Sequence, residues 1–168
     1  MKNLLLILLM FCCLSSFGCD KSGDPTPVKP GGGTPVDPTP VAIRRPASIG
    51  IVGDSSNVVK TTTGGIVLMG GGTDVEAAFK WMIDRSGGGD VVILRATGTD
   101  AYNPFVNALG TVNSVETLLI NSKELANNDT VAYIIRNAEM VFIAGGDQSN
   151  YMNYWRGTKV EKALNYLM

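Results

Sequence analysis

The sequence contains no histidine. That removes the usual general base at neutral pH, so no serine or cysteine triad can be completed from these residues. It also removes imidazole metal sites. Cysteine is scarce and confined to Cys12, Cys13 and Cys19. Everything after Cys19 therefore lacks a thiol pair for a disulfide framework or a thiolate metal site. Charged residues make up only 17% and the net charge is −1, which leaves no electrostatic case for nucleic acid. No Gly-Lys-Ser/Thr occurs, so there is no P-loop. The one long apolar run, Leu4 to Leu14, is too short for a membrane span. Neither a metal nor a cofactor is expected.

What is present divides the 168 residues into three parts. Residues 1–18 read as an export signal: Lys2 supplies the positive start and Leu4–Leu14 the apolar centre. Ser16-Phe17-Gly18-Cys19 resembles a bacterial lipobox, in which Cys19 is lipidated and becomes the first mature residue. The plainer alternative is an ordinary signal peptide with a chance cysteine. Residues 19–46 read as a tether. Seven of the eight prolines lie between Pro25 and Pro46, Thr-Pro-Val recurs at Thr26, Thr34 and Thr39, and Gly31–Gly33 interrupts them. Such a stretch buries little and favours extended states. The expected location is outside the cytoplasm, held to a bacterial membrane through a lipid on Cys19.

Residues 47–168 carry the folding signals. Apolar runs at Ala47–Val52, Ile66–Met69, Val91–Leu94, Val115–Ile120 and Val141–Ala144 read as strands. Val75, Ala78, Phe79, Met82 and Ile83 fall on one helical face, closed by Gly87–Gly89, with Thr73 or Asp74 as the cap. Tyr102–Leu109 reads as a short helix stopped by Gly110. Lys123–Asn137 is helical with a break near Asn127–Asp129, and Tyr151–Leu167 is a final helix. Alternating strands and helices imply an α/β domain: a mostly parallel sheet covered on both faces, in three layers. In such sheets ligands bind beyond the carboxyl ends of the strands. Four polar or glycine-rich loops are expected at those ends: Gly70–Asp74, Arg95–Tyr102, Asn121–Lys123 and Gly145–Ser149.

Several motifs invite chemistry. Gly70-Gly71-Gly72 suggests phosphate binding but lacks the dinucleotide spacing, and a plain turn competes with it. Gly53-Asp54-Ser55 resembles an esterase nucleophile block, yet the missing histidine favours a turn. Asp54, Asp74, Asp100 and Asp147 could pair as acid and base or serve as helix caps. Arg95 suits either an anionic ligand or an ion pair with an aspartate. Tyr151, Tyr154 and Trp155 form either an aromatic wall or core packing. The sharpest feature is Met140–Ala144 running into Gly145-Gly146-Asp147-Gln148, a buried strand delivering a glycine turn to a crevice.

From Ile66 onward the chain resembles the N-terminal half of the cyanophycinase group of serine peptidases, relatives of dipeptidase E. The resemblance rests on Leu68–Gly72, Gly87–Leu94 with Arg95–Asp100, Tyr102–Phe105 with Leu109-Gly110, and Phe142–Gln148 with Tyr151, Trp155 and Thr158. It implies a class I glutamine amidotransferase-like fold and acyl-enzyme hydrolysis of peptide or isopeptide bonds. It also implies that the nucleophilic serine and the histidine come after Met168, so that this chain alone is inactive. On that basis the turn Gly145, Gly146, Asp147 and Gln148 forms the oxyanion and substrate side, with Gly146 and Asp147 acting through their backbone and Gln148 contacting substrate or positioning the nucleophile. Homodimerisation is left open. The alternative from another class is a tethered α/β ligand-binding module, or a pseudoenzyme, without catalysis.

Overall fold

The computed structural model describes residues 45–168, so the export signal, Cys19 and nearly all of the tether lie outside the described residues. Four strands form one sheet. They are β1 (Ser48–Gly53), β2 (Asp90–Arg95), β3 (Ser114–Leu119) and β4 (Met140–Ile143). Six helices accompany them: α1 (Glu76–Ser86), α2 (Tyr102–Ala108), α3 (Lys123–Ala126), α4 (Asp129–Asn137), α5 (Gln148–Trp155) and α6 (Lys159–Leu167). Among the described residues no helix is long and apolar enough to cross a membrane.

The sheet order is β1-β3-β2-β4. β2 lies parallel to β3 and to β4, whereas β1 runs antiparallel to β3 with an irregularity between Ser48 and Gly50. β2 is apolar from Val91 to Leu94 because it is central and covered on both faces. Its side chains alternate between two cores. Val91 and Ile93 join Phe79, Ile83 and Val106 of α1 and α2. Val92 and Leu94 join Val131, Ile135, Trp155 and Val160 of α4, α5 and α6. The helix–sheet–helix sandwich read from the sequence is thus present.

The connection from β2 to β3 runs one way along the sheet, and the connection from β3 to β4 runs back. Right-handed crossovers then require their helices on opposite faces, as α2 and α4 are. The strand order therefore reverses at β2. Beyond its carboxyl end the chain leaves toward α2 on one face, and beyond that of β4 it leaves toward α5 on the other. Open α/β sheets bind ligands in the crevice expected at such a switch point.

Three expectations need correction. Ile66–Met69 is not a strand. Ile66 and Leu68 are 73% and 93% exposed, and only Met69 packs against the α1 core. Apolar character alone does not make a strand, because its backbone needs a partner, and both sides of β2 are taken by β3 and β4. The expected single helix Tyr151–Leu167 is two. Gly157 turns with φ 76°, and Thr158 is the N-cap of α6. Neither Thr73 nor Asp74 caps α1, whose N-cap is Val75 without a side-chain bond. The break near Asn127–Asp129 is present: the Asn128 side chain accepts from the N–H groups of Thr130 and Val131 and starts α4.

β4 and β1 are the two edges of the sheet. Ile143 at the end of β4 is 49% exposed, so an apolar edge faces outward on the α5 side.

Candidate functional site

The crevice expected at the reversal point would be bounded by the segments leaving β4 and β2, whose carboxyl ends sit side by side through the pairing of Ile143 with Leu94. After β4, Ala144 is buried and its N–H donates to the Leu94 carbonyl at 3.1 Å. The chain then emerges into solvent at Gly145-Gly146-Asp147-Gln148. No internal acceptor among the described residues takes the N–H of Gly145, Gly146 or Asp147. Three successive free donors at the mouth of a crevice can receive an anion or a developing oxyanion.

The turn is held by side chains more than by glycine conformation. Neither Gly145 nor Gly146 has a positive φ. The sharp turn therefore does not demand glycine, contrary to the expectation. What Gly146 supplies is closeness: a Cβ there would stand 3.1 Å from the Tyr151 hydroxyl, while one on Gly145 would meet nothing within 4 Å. The Asp147 carboxylate accepts from the Ser149 N–H at 2.8 Å and is the N-cap of α5. The Tyr151 hydroxyl donates to the Ala144 carbonyl at 2.7 Å, pinning the strand exit from the first turn of α5. Tyr151 packs edge-on against Trp155 at 4.7 Å, and Trp155 Nε1 donates to the Ile120 carbonyl at 2.9 Å. Strand exit, turn and helix thus hang on one aromatic pair anchored just past β3. The sequence pointed to Tyr151 and Trp155 as a wall or core; nothing in it pointed to the hydroxyl bond back to Ala144.

The opposite wall is the loop after β2. Arg95 is the expected candidate for an anion or an aspartate, and it makes no ion pair with an aspartate among the described residues. Its Nε and Nη1 donate to the carbonyls of Thr97 and Thr99, each at 3.0 Å, folding its own loop. Gly98, with φ 104°, lets the chain pass against that guanidinium. Arg95 also lies over the Tyr102 ring, 5.5 Å from its centre. The Tyr102 hydroxyl donates to both oxygens of Asp74, at 3.1 and 2.9 Å. Burial raises the Tyr102 pKa, the bond and charge of Asp74 raise it further, and Arg95 pulls it down. Tyr102 in turn belongs to an aromatic cluster with Phe79, Phe105 and Phe142. Asp74 is therefore tied by a phenol to the start of α2.

The other sequence candidates separate. β1 is antiparallel, so Gly53-Asp54-Ser55 lies at the amino-terminal end of the parallel strands, away from the crevice: Gly53 pairs with Ser114. There the Asp54 side chain accepts from the Ser56 N–H, which lowers the Asp54 pKa. Asp100 lies against Gly50 of β1, where any Cβ would collide with its carboxylate. Gly70–Gly72, expected at a strand end, borders an open depression lined by Val67–Thr73, Val75 and Ala78 with no titratable side chain. Among the described residues no group of three or more Cys, Asp or Glu could hold a metal. No family model matches the chain, and no curated protein matches it.

Proposed function

We propose that this chain is the N-terminal part of an exported, lipid-tethered serine-type peptidase of the cyanophycinase kind. It supplies one wall of the site and the oxyanion donors. The nucleophilic serine and its histidine come from a segment outside these 168 residues, since the sequence has serines but no histidine. The observation that carries the reading is the Gly145–Asp147 turn. Its free N–H groups open at the reversal point of a mostly parallel sheet, beside a β4 edge that has room for a further strand.

In this reading an acyl group is transferred to the serine, and the carbonyl oxygen gains negative charge as the tetrahedral intermediate forms. Gly146 and Asp147 offer backbone N–H groups to that oxygen. Asp147 holds the turn in place by capping α5, and Gln148, exposed on the first turn of that helix, contacts the substrate. The substrate is a peptide or isopeptide. The glutamine amidotransferase-like fold belongs to the same proposal.

The first test joins the chain to its downstream coding sequence. The reading expects a Gly-x-Ser-x-Gly-like strand there, and hydrolysis of β-aspartyl dipeptides that is lost when a phosphonate labels that serine. The 168-residue chain alone should neither label nor hydrolyse. In the longer protein Gly146→Val should abolish turnover while the fold survives, because the added methyls crowd Tyr151 and the donor face. Full activity in Gly146→Val would remove the oxyanion assignment. Stoichiometric labelling of Ser55 in the short chain would replace the whole reading with an esterase-type one. A stop codon directly after Met168 would favour the tethered binding module. The lipid anchor is tested separately: Cys19→Ala should move the protein out of the membrane fraction.

A further inference from the structure

At the opposite end of the sheet from the crevice, two acidic side chains are buried together. Glu116 stands in the middle of β3, its side chain 3% exposed, and Asp90 opens β2. The Asp90 charge is met by three donors: the Ser114 hydroxyl at 2.6 Å, Asn113 Nδ2 at 2.7 Å and the Val58 N–H at 3.0 Å. Glu116 is only half satisfied. Arg45 Nη1 donates to its Oε2, and Arg45 Nη2 turns away to the Ser55 carbonyl. Oε1 of Glu116 has no hydrogen-bond partner. Glu116, Asp90 and Ser114, with Arg45, Ser55 and Asn57, line a cavity of about 30 Å³, enough for at least one water-sized guest.

Two carboxylates against one guanidinium leave one negative charge, with a buried oxygen unmet. Leaving such an oxygen unpaired is costly. The donors available are all hard oxygens, which suit alkali and alkaline-earth ions over soft metals. A divalent ion demands six or more oxygens and would overshoot the single residual charge, which one monovalent cation balances. We propose that the Glu116–Asp90 cavity binds a single monovalent cation of sodium or potassium size, which completes the charge balance where the tether joins the fold.

Arg45 is the first described residue of the domain, and the cation site shares Glu116 with it. The cavity lies at the far end of the strands from the crevice, so cation binding there does not depend on the peptidase reading.

The test measures thermal unfolding of the full chain in sodium, potassium, magnesium and choline chlorides at constant ionic strength. An alkali cation at about ten times its dissociation constant should raise the midpoint by about 3–8 °C over choline. Glu116→Gln should abolish that difference, whatever its own midpoint, and Ser114→Ala should reduce it. Identical midpoints in choline and in both alkali salts would overturn the proposal, leaving a water or a proton at Oε1. So would a cation effect undiminished in Glu116→Gln, or a larger response to magnesium than to sodium and potassium. The wild-type comparison stands even where a variant does not fold.

Discussion

Removing the Tyr151 hydroxyl tests how the candidate turn is held. Tyr151→Phe keeps the ring and its edge-on contact with Trp155 but deletes the donor to the Ala144 carbonyl. A hydrogen bond of this kind contributes about 0.5–1.5 kcal/mol net. Ala144 is buried but Tyr151 is only half buried, so water can reach the abandoned carbonyl through the space the hydroxyl leaves. The cost should then stay near ~1 kcal/mol and not approach the roughly 3 kcal/mol of a sealed orphan. For a domain of this size that lowers the melting midpoint by about 3–6 °C. The local effect should exceed the global one. Amide exchange at Ala144, whose N–H donates to the Leu94 carbonyl, should accelerate by more than the stability loss alone explains, because the strand exit loses its tie to α5 while β2 and β3 keep theirs. The assay is calorimetry with residue-resolved hydrogen exchange. A midpoint unchanged within a degree, with unaltered exchange at Ala144, would show that the hydroxyl does not hold the turn.

Phe79→Ala empties the centre of the cluster formed with Tyr102, Phe105 and Phe142, and should cost about 3–5 kcal/mol in chemical denaturation. A loss under about 1.5 kcal/mol would mean the cluster is loosely packed, far below the range for such deletions. Glu116 gives a pH signature. Burial raises its pKa above the ordinary 4.5, against the Ser48 hydroxyl and Arg45, which lower it, and with help from Asp90. Between 4.5 and the folded value the native protein keeps a proton that the unfolded chain has released, so this group's contribution to stability falls as pH rises through that window. In choline buffers the wild type minus Glu116→Gln difference should show that negative slope; a flat or positive one contradicts a raised pKa. Ile143→Lys places a charge on the exposed end of the β4 edge and should reduce association seen by light scattering, since lysines guard free edges. Undiminished association would locate it elsewhere.

Much of the fold was legible because burial on both faces leaves a mark in sequence. Val91–Leu94 had to be a covered strand, and the Phe79–Ile83 face had to pack. Asn128 and Gly87 marked helix ends through their own chemistry. Ile66–Met69 carries the same apolar signal and is not a strand, because pairing is decided by which neighbours reach β2. The antiparallel course of β1 was equally invisible, and it moves Asp54 and Ser55 away from the crevice. Arg95 and Asp74 looked like ligand-seeking charges; their partners are a loop carbonyl pair and a distant phenol.

By itself the sequence determined the class of architecture, the glycine turn after β4 and the absence of a histidine base, since these depend on residue type and local period. Only the tertiary structure decided that the Tyr151 hydroxyl ties that turn to the strand. It alone brought Arg45 to a buried Glu116, 71 positions away. The reason is physical: helical and strand periods are written within a few residues, whereas hydrogen bonds across the chain depend on strand order and direction, which local propensity does not encode.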